Sequence, residues 1–281
     1  MPSSLHSSSD PRQPPLELVY DGSPTGCLCA VAEAYKQPPR RAVLFTRPGT
    51  VMPLFASAGI RVEADPARAE RFLNYIAGRS SRDVVHTLLR ALSAMPEGLE
   101  TPLLGYARKA VLHGACIAQA LADPDVIFVH RWARRVALEI HRFKGLLRFQ
   151  ELQSGRFIAL YEPDYDITLQ LAFHFRRRLA SERWIILDCR RRRAATWNGT
   201  RLNAEAAGGD LLEGDQLDRC LAGDEPSAEE TRSRGLWQTF HRTVAIETRT
   251  NPLLQRQFMP ARYWKHLPEM QPPAAIQPDG L

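Results

Sequence analysis

Three carboxylates alternate at Glu162, Asp164 and Asp166, with Pro163 between the first two. In an extended segment, residues two apart point to the same side, so this turn could gather the three for a magnesium ion or a general base. The alternative is that Asp164 or Asp166 caps the following helix and Glu162 answers an arginine. His141, Glu162, Asp164 and Asp188 form the best catalytic constellation the chain offers, with nearby arginines to stabilise charge as a phosphoryl or glycosyl bond breaks. A second chemistry is binding. Between Arg131 and Arg193 there are 15 Lys/Arg against 7 Asp/Glu, an excess of +8, whereas the whole chain is only +6. Such a concentration suggests a polyanion, and nucleic acid is the commonest one.

The cations fall in separable places. Arg131, Arg135 and Arg142 follow at +4 and +7 on one helix face, and His130, Arg134 and His141 line the stripe beside it. Glu139 lies within this set and is expected to neutralise part of it. Lys144 follows at the end of the same helix, with Gly145 in the C-cap role. Arg190, Arg191, Arg192 and Arg193 crowd one turn, where self-repulsion costs stability unless an anion sits there. Near the C-terminus Arg256 precedes Arg262, Tyr263, Trp264 and Lys265, which set aromatics beside cations. Such a mixture can stack on unpaired bases and hold phosphates, or Tyr263 and Trp264 can latch the terminus to the core.

The positioning elements imply an α+β fold. LELVYDG is a short strand, and Ser23-Pro24 starts a helix with Leu28, Val31, Ala32 and Tyr35 on one face. Two short strands, AVLF and IRVEAD, flank a Pro/Gly turn. Helices follow with inward Ala69, Phe72, Leu73 and Ile76, then Val84, Val85, Leu88, Leu89 and Leu92, then Leu104, Ala107, Val111 and Ala118. Asp123 caps the basic helix, Pro124 takes its first position, and Val129, Trp132, Ala133, Val136 and Ile140 form its core stripe. Hairpins over 146–161 and 184–202, turning at Ser154-Gly155 and Asn198-Gly199, predict an antiparallel sheet. Two helices should cover it, one through Leu169, Ala172, Phe173 and Leu179, the other through Leu236, Phe240 and Val244. Residues 204–230 hold nine acidic residues and one basic, which reads as a flexible insert able to shield the basic face.

This gives a disordered tail over 1–15, an N-terminal α/β and helical region over 16–122, a basic α+β domain over 123–269, and a second tail over 270–281. Cys27, Cys29, Cys116, Cys189 and Cys220 contain no CxxC pair, which suits a reducing cytoplasm and opposes a disulfide framework or four-cysteine zinc site. No apolar run approaches the roughly 18 residues of a membrane span. No metal or cofactor is called for, and GxGxxG and GxxxxGKS are missing.

The order EIHRFKGLLRF, YEPDYDI, the Phe-His-Phe helix, WIILDCRRR and NPLLQRQFMPARYWKHLPE resembles a family of bacterial proteins assigned to DNA repair. Its members are encoded beside a radical-SAM protein or fused to a uracil-DNA-glycosylase-like domain. The likeness runs from about Leu16 to Glu269. It rests on His141, Arg142, Lys144, Gly145, Asp188, Arg190 and Arg191, and on the tail from Asn251 to Lys265. The family's acidic turn reads EPDHNI, whereas this chain has Tyr165 and Asp166 in place of His and Asn. The resemblance implies DNA, a radical-SAM protein and a glycosylase-like protein as partners. No glycosylase-like domain follows Leu281, so that partner is expected as a separate polypeptide. Three functions stay open: a DNA-repair accessory protein that binds damaged or single-stranded DNA, a nuclease or base-processing enzyme, and a protein-docking subunit that leaves DNA alone.

Overall fold

In the computed structural model, residues 15–48, 59–203 and 212–272 are described. The expected tail over 1–15 lies outside them except for Pro15, as do most of the second tail and residues 204–211 of the acidic insert. The fold is α+β, and the chain forms two compact units that divide at Ala137/Leu138.

The first unit opens with a parallel three-stranded sheet of order β2-β1-β3: β1 (Leu16–Val19), β2 (Val43–Thr46) and β3 (Ile60–Arg61). The two strands expected on either side of the Pro/Gly turn therefore both pair with β1. Helix α1 (Pro24–Tyr35) is capped by Ser23, and its Cys27 and Cys29 are buried as small apolar residues. Helices α2 (Pro66–Arg79), α3 (Arg82–Ala94) and α4 (Glu100–His113) complete the layer. Gly114, at φ +62°, ends α4 early, and a short 3-10 turn follows. That change of pitch buries Ile117 and leaves the expected core residue Ala118 exposed.

Helix α5 (Pro124–Leu146) begins as its sequence dictates. Asp123 Oδ1 accepts from the backbone N–H of Asp125 at 3.0 Å and of Val126 at 3.2 Å. Replacing Asp123 with alanine should therefore cost about 1–2 kcal/mol, seen as a lower urea midpoint; an unchanged midpoint would show that the cap is dispensable. Gly145 lies within the last turn instead of terminating the helix. No single helix among the described residues is long and apolar enough to cross a membrane.

The second unit is built on a four-stranded sheet of order β4-β5-β6-β7: β4 (Phe149–Glu151), β5 (Phe157–Tyr161), β6 (Trp184–Asp188) and β7 (Arg193–Trp197). The first expected hairpin forms through Gly155 at φ +69°; β6 and β7 form a second that turns at the arginines, whereas Asn198-Gly199 leads only to an isolated bridge between Trp197 and Leu202. The sheet is nonetheless mixed, because helix α6 (Thr168–Arg178) carries the chain across and β6 pairs parallel to β5. Alternation sorts the side chains into two layers. Ile158, Ile185 and Ala194 meet Leu212, Cys220 and Leu221, so the segment expected to be a flexible insert supplies helix α7 (Gly214–Leu221) to the core. On the other face Tyr161 meets Phe143 of α5 with ring centroids 5.0 Å apart.

Two expected helix faces are rotated. The Tyr161 hydroxyl bonds the Thr168 hydroxyl at 2.8 Å and fixes the start of α6, so Leu171, Ala172 and Phe175 turn inward while Leu169 and Phe173 are exposed. Helix α8 (Ala228–Thr243) likewise leaves Leu236 and Phe240 outside, and Val244 beyond its end is exposed too. Helix α9 (Pro252–Phe258) is capped by Asn251.

Candidate nucleic-acid interface

Glu139 sits on the buried side of α5 and is only 2% exposed, so it belongs to the core and not to the basic stripe. One carboxylate oxygen accepts from the backbone N–H of Asp164 at 2.9 Å and from the Tyr263 hydroxyl at 2.7 Å; the other accepts from the Tyr165 N–H at 2.9 Å. The acidic turn is thus folded over a buried anion. Burial and this carboxylate push the Tyr263 hydroxyl well above its ordinary range. The ring itself lies against Phe143, with centroids 4.5 Å apart, so Tyr263 latches the C-terminal segment and is closed to stacking bases.

The arginine turn is neutralised by the chain's own carboxylates. Asp188, fully buried, accepts from the backbone N–H groups of Arg190 and Arg191, each at 3.0 Å, and pairs with the Arg191 guanidinium at 2.9 Å. Arg191 also donates to the Pro163 and Asp164 carbonyls at 3.2 and 2.7 Å. Arg192, strained at φ +51°, pairs with Asp218. Arg193 pairs with Asp166 and Glu213, and Asp164 takes Arg262 at 2.9 Å and Arg190 at 3.8 Å. Glu162 pairs with Lys265 and, at 3.4 Å, with His266. The arginine turn therefore carries little net field: Asp164, Asp166 and Asp188, already among the acids of that stretch, gather on it, and Asp218 and Glu213 join from beyond it.

The expected catalytic constellation is not assembled. Asp164 and Asp166 do not cap α6, whose N-cap is Ile167 without a side-chain bond. His141 is exposed on α5, two residues from both buried Glu139 and Phe143, and so on the opposite side of the helix from the acidic turn. Among the described residues no three His, Cys, Asp or Glu side chains converge on a common metal position.

The Lys265 hydrogen bond, and then His266, hold the Glu162 carboxyl below its ordinary range. Ser154 and Arg156 do the same for Asp224, which accepts from the Ser154 hydroxyl and from Arg156 at 2.6 Å each. Carboxyls depressed in the folded state stabilise it above their unfolded value of about 4, and that contribution is lost as pH falls through the folded values. The urea midpoint should thus stay level from about pH 8 to 5 and drop below about pH 4. Asp224→Asn should flatten part of that drop; an identical acid profile in the variant would remove Asp224 from the account.

Uncompensated charge lies elsewhere in this unit. Two cavities, of about 310 and 480 Å3, share Arg148 and Phe149 in their walls. The first also has Lys144, Arg178, Phe157, Phe175 and one carboxylate, Glu182; the second has Arg234, Trp237, Ser233 and Glu230. Among the described residues Lys144, Arg177, Arg178 and Arg234 make no ion pair, while Arg148 is held by Glu269 at 2.6 Å. His174 reports the local field: burial, and then Lys144, Arg178 and Arg177, hold its imidazole below the ordinary range. Aromatic contacts make the floor firm, since Phe149 meets Phe175 at 5.0 Å and Trp184 at 6.4 Å. Of the cations singled out in the sequence, Lys144 belongs to this groove. Arg142 donates to the Gln257 carbonyl at 3.2 Å. Trp264 bonds the Met259 carbonyl at 2.9 Å, and Arg256 is exposed. In the first unit, Arg131 and Arg135 lie over the Phe128 and Trp132 rings at 5.5 and 4.6 Å. The groove residues Arg178, Arg234, Phe149, Phe157 and Trp237 carried no sequence signal beyond the run of arginines ending α6.

Fold and site together define an α+β protein with a closed ion-pair core and an open basic–aromatic groove. The model of DUF4130, a domain of unknown function, matches residues 97–269, and the chain belongs to that family. No curated protein and no solved structure matches it.

Proposed function

We propose that this protein is a cytoplasmic DNA-repair accessory subunit that holds single-stranded or damaged DNA in the groove around Arg148 and Phe149. The observation that carries this reading is the interleaving of unpaired cations (Lys144, Arg178 and Arg234) with accessible rings (Phe149, Phe157 and Trp237). Cations of this kind hold phosphates, and rings stack on bases that are not paired. The sequence resemblance supplies the partners: a radical-SAM protein and a uracil-DNA-glycosylase-like protein, to which the bound strand would be presented. A nuclease or base-processing activity has less support, since His141 faces away from the carboxylates and each of those is matched by a cation.

The test is fluorescence anisotropy with a short single strand, its duplex, and an abasic version, from about 50 to 300 mM salt. With three to four phosphates neutralised, the log–log slope should be about −2 to −3 on the single strand. The single strand should also bind about tenfold more tightly than the duplex, given about 1–3 kcal/mol per stacked base. Binding that is absent, independent of salt, or stronger for the duplex overturns the proposal.

A further inference from the structure

The carboxyl ends of the first unit's three parallel strands open onto a cavity of about 610 Å3. Val19 and Tyr20 stand there at the end of β1, Thr46 and Arg47 at the end of β2, and Arg61 and Val62 at the end of β3. The chain leaves β1 for β2 on one side and returns to β3 on the other, so the strand order reverses at β1. In open parallel sheets small ligands bind in the crevice beyond the strand ends, where the order reverses. The volume is also in the range of small-molecule sites, roughly 300–1,000 Å3.

The polar groups around this cavity are of both signs. Arg47 is half-buried and lies 3.9 Å from the buried carboxylate of Glu100, which accepts from the Tyr20 hydroxyl at 2.5 Å. That loose contact orients the guanidinium without saturating it. Arg61 and Glu63 are exposed and make no ion pair among the described residues. Asp21 is held in place: Gly22, at φ +82°, turns the chain so that Asp21 Oδ1 accepts from the Ser23 N–H at 2.9 Å and hydroxyl at 2.7 Å. Gly26 leaves room for this, since a Cβ there would collide with the same oxygen. The first turn of α1 is thereby answered by the chain's own Asp21 and Ser23, and an anion belongs at the arginines instead. Val19, Pro48 and Val62 supply an apolar wall.

We propose that this cavity binds a ribonucleotide, with its phosphate on Arg47 and Arg61, its ribose hydroxyls on Asp21 and Glu63, and its base against the apolar wall. The arginine fork matches phosphate oxygens, and carboxylates beyond strand ends accept from ribose hydroxyls. A smaller zwitterion would match the charges but leave the apolar wall and much of the volume unfilled. The cavity shares no residue with the groove of the second unit, so this inference is independent of DNA binding.

Isothermal titration calorimetry of the full chain with AMP, GMP, CMP and UMP should show one site per chain for at least one of them, with a Kd below about 1 mM. The 2′-deoxy form of that nucleotide and its phosphate-free nucleoside should each bind about tenfold more weakly, since each loses hydrogen bonds to a charged group. Glu63→Ala should lower the preference for ribose, and Arg61→Ala the preference for phosphate, each at least about threefold. Both positions are exposed, and oligonucleotide binding should stay unchanged in both variants. No binding of any of the four, equal binding of the deoxy form or the nucleoside, or a preference that survives its own variant would each overturn the proposal. So would loss of nucleotide binding in Lys144→Ala/Arg178→Ala, which would place the nucleotide in the groove.

Discussion

Replacing Glu139 with alanine should lower the unfolding free energy by about 3–5 kcal/mol, the largest loss expected from any single side chain in the second unit. The carboxylate accepts three hydrogen bonds, from two backbone N–H groups and a phenol, at 2.7 to 2.9 Å. Removing it takes the acceptor from all three donors, two part-buried and one buried, and each costs about 1–3 kcal/mol if left unpaired. It also frees Asp164, whose position sets the partners of Arg262 and Arg190. Glu139→Gln should recover part of the loss, because its carbonyl can still accept while its amide turns a donor toward donors. Tyr263→Phe should cost only about 1 kcal/mol, since it removes one partner and leaves the carboxylate two backbone bonds. Urea denaturation of the three variants gives the order directly. A loss under about 1 kcal/mol for Glu139→Ala would mean that the acidic turn is held by its surface ion pairs, which are worth little individually.

Glu139 also shows where local reading of the chain stops. It falls three residues after Val136 and four before Phe143, on the core stripe of α5, and that misplaced charge was its one visible signal. Nothing near it in sequence reveals that the backbone of Asp164 and Tyr165 comes to rest on it. Features fixed by neighbours were legible: the Ser23 and Asp123 caps, the Gly155 turn and the α+β class. Features fixed across the chain were not. The parallel pairing of β5 with β6 depends on how α6 crosses the sheet, which a strand pattern does not encode. The acidic segment was legible as a counter-charge to the arginines. Its other role, covering the sheet through Leu212, Cys220 and Leu221, was hidden by its low hydrophobicity. The α8 face misled for a different reason. An apolar row at helical spacing ordinarily marks the core, and here it faces outward.

The same distinction separates two basic surfaces by experiment. Lys144→Ala/Arg178→Ala should weaken single-strand binding about tenfold and make the salt slope shallower by about 1.4, at roughly 0.7 for each phosphate no longer neutralised. Arg190→Ala/Arg192→Ala removes as much formal charge from a more conspicuous cluster and should change affinity less than about threefold. Those two guanidiniums face Asp164 and Asp218, and a cation that already faces a carboxylate offers little net attraction to a phosphate. Trp237→Ala should lower affinity by about 1–3 kcal/mol with the slope unchanged, because stacking releases no counterions. The slope therefore separates charge from stacking within the groove. The two double variants decide between the groove and the arginine turn. If the Arg190/Arg192 variant lost more affinity than the Lys144/Arg178 variant, DNA would have to displace Asp218 and Asp164 to bind, and the ion pairs around Glu139 would be a closed state of the binding surface in place of a structural core.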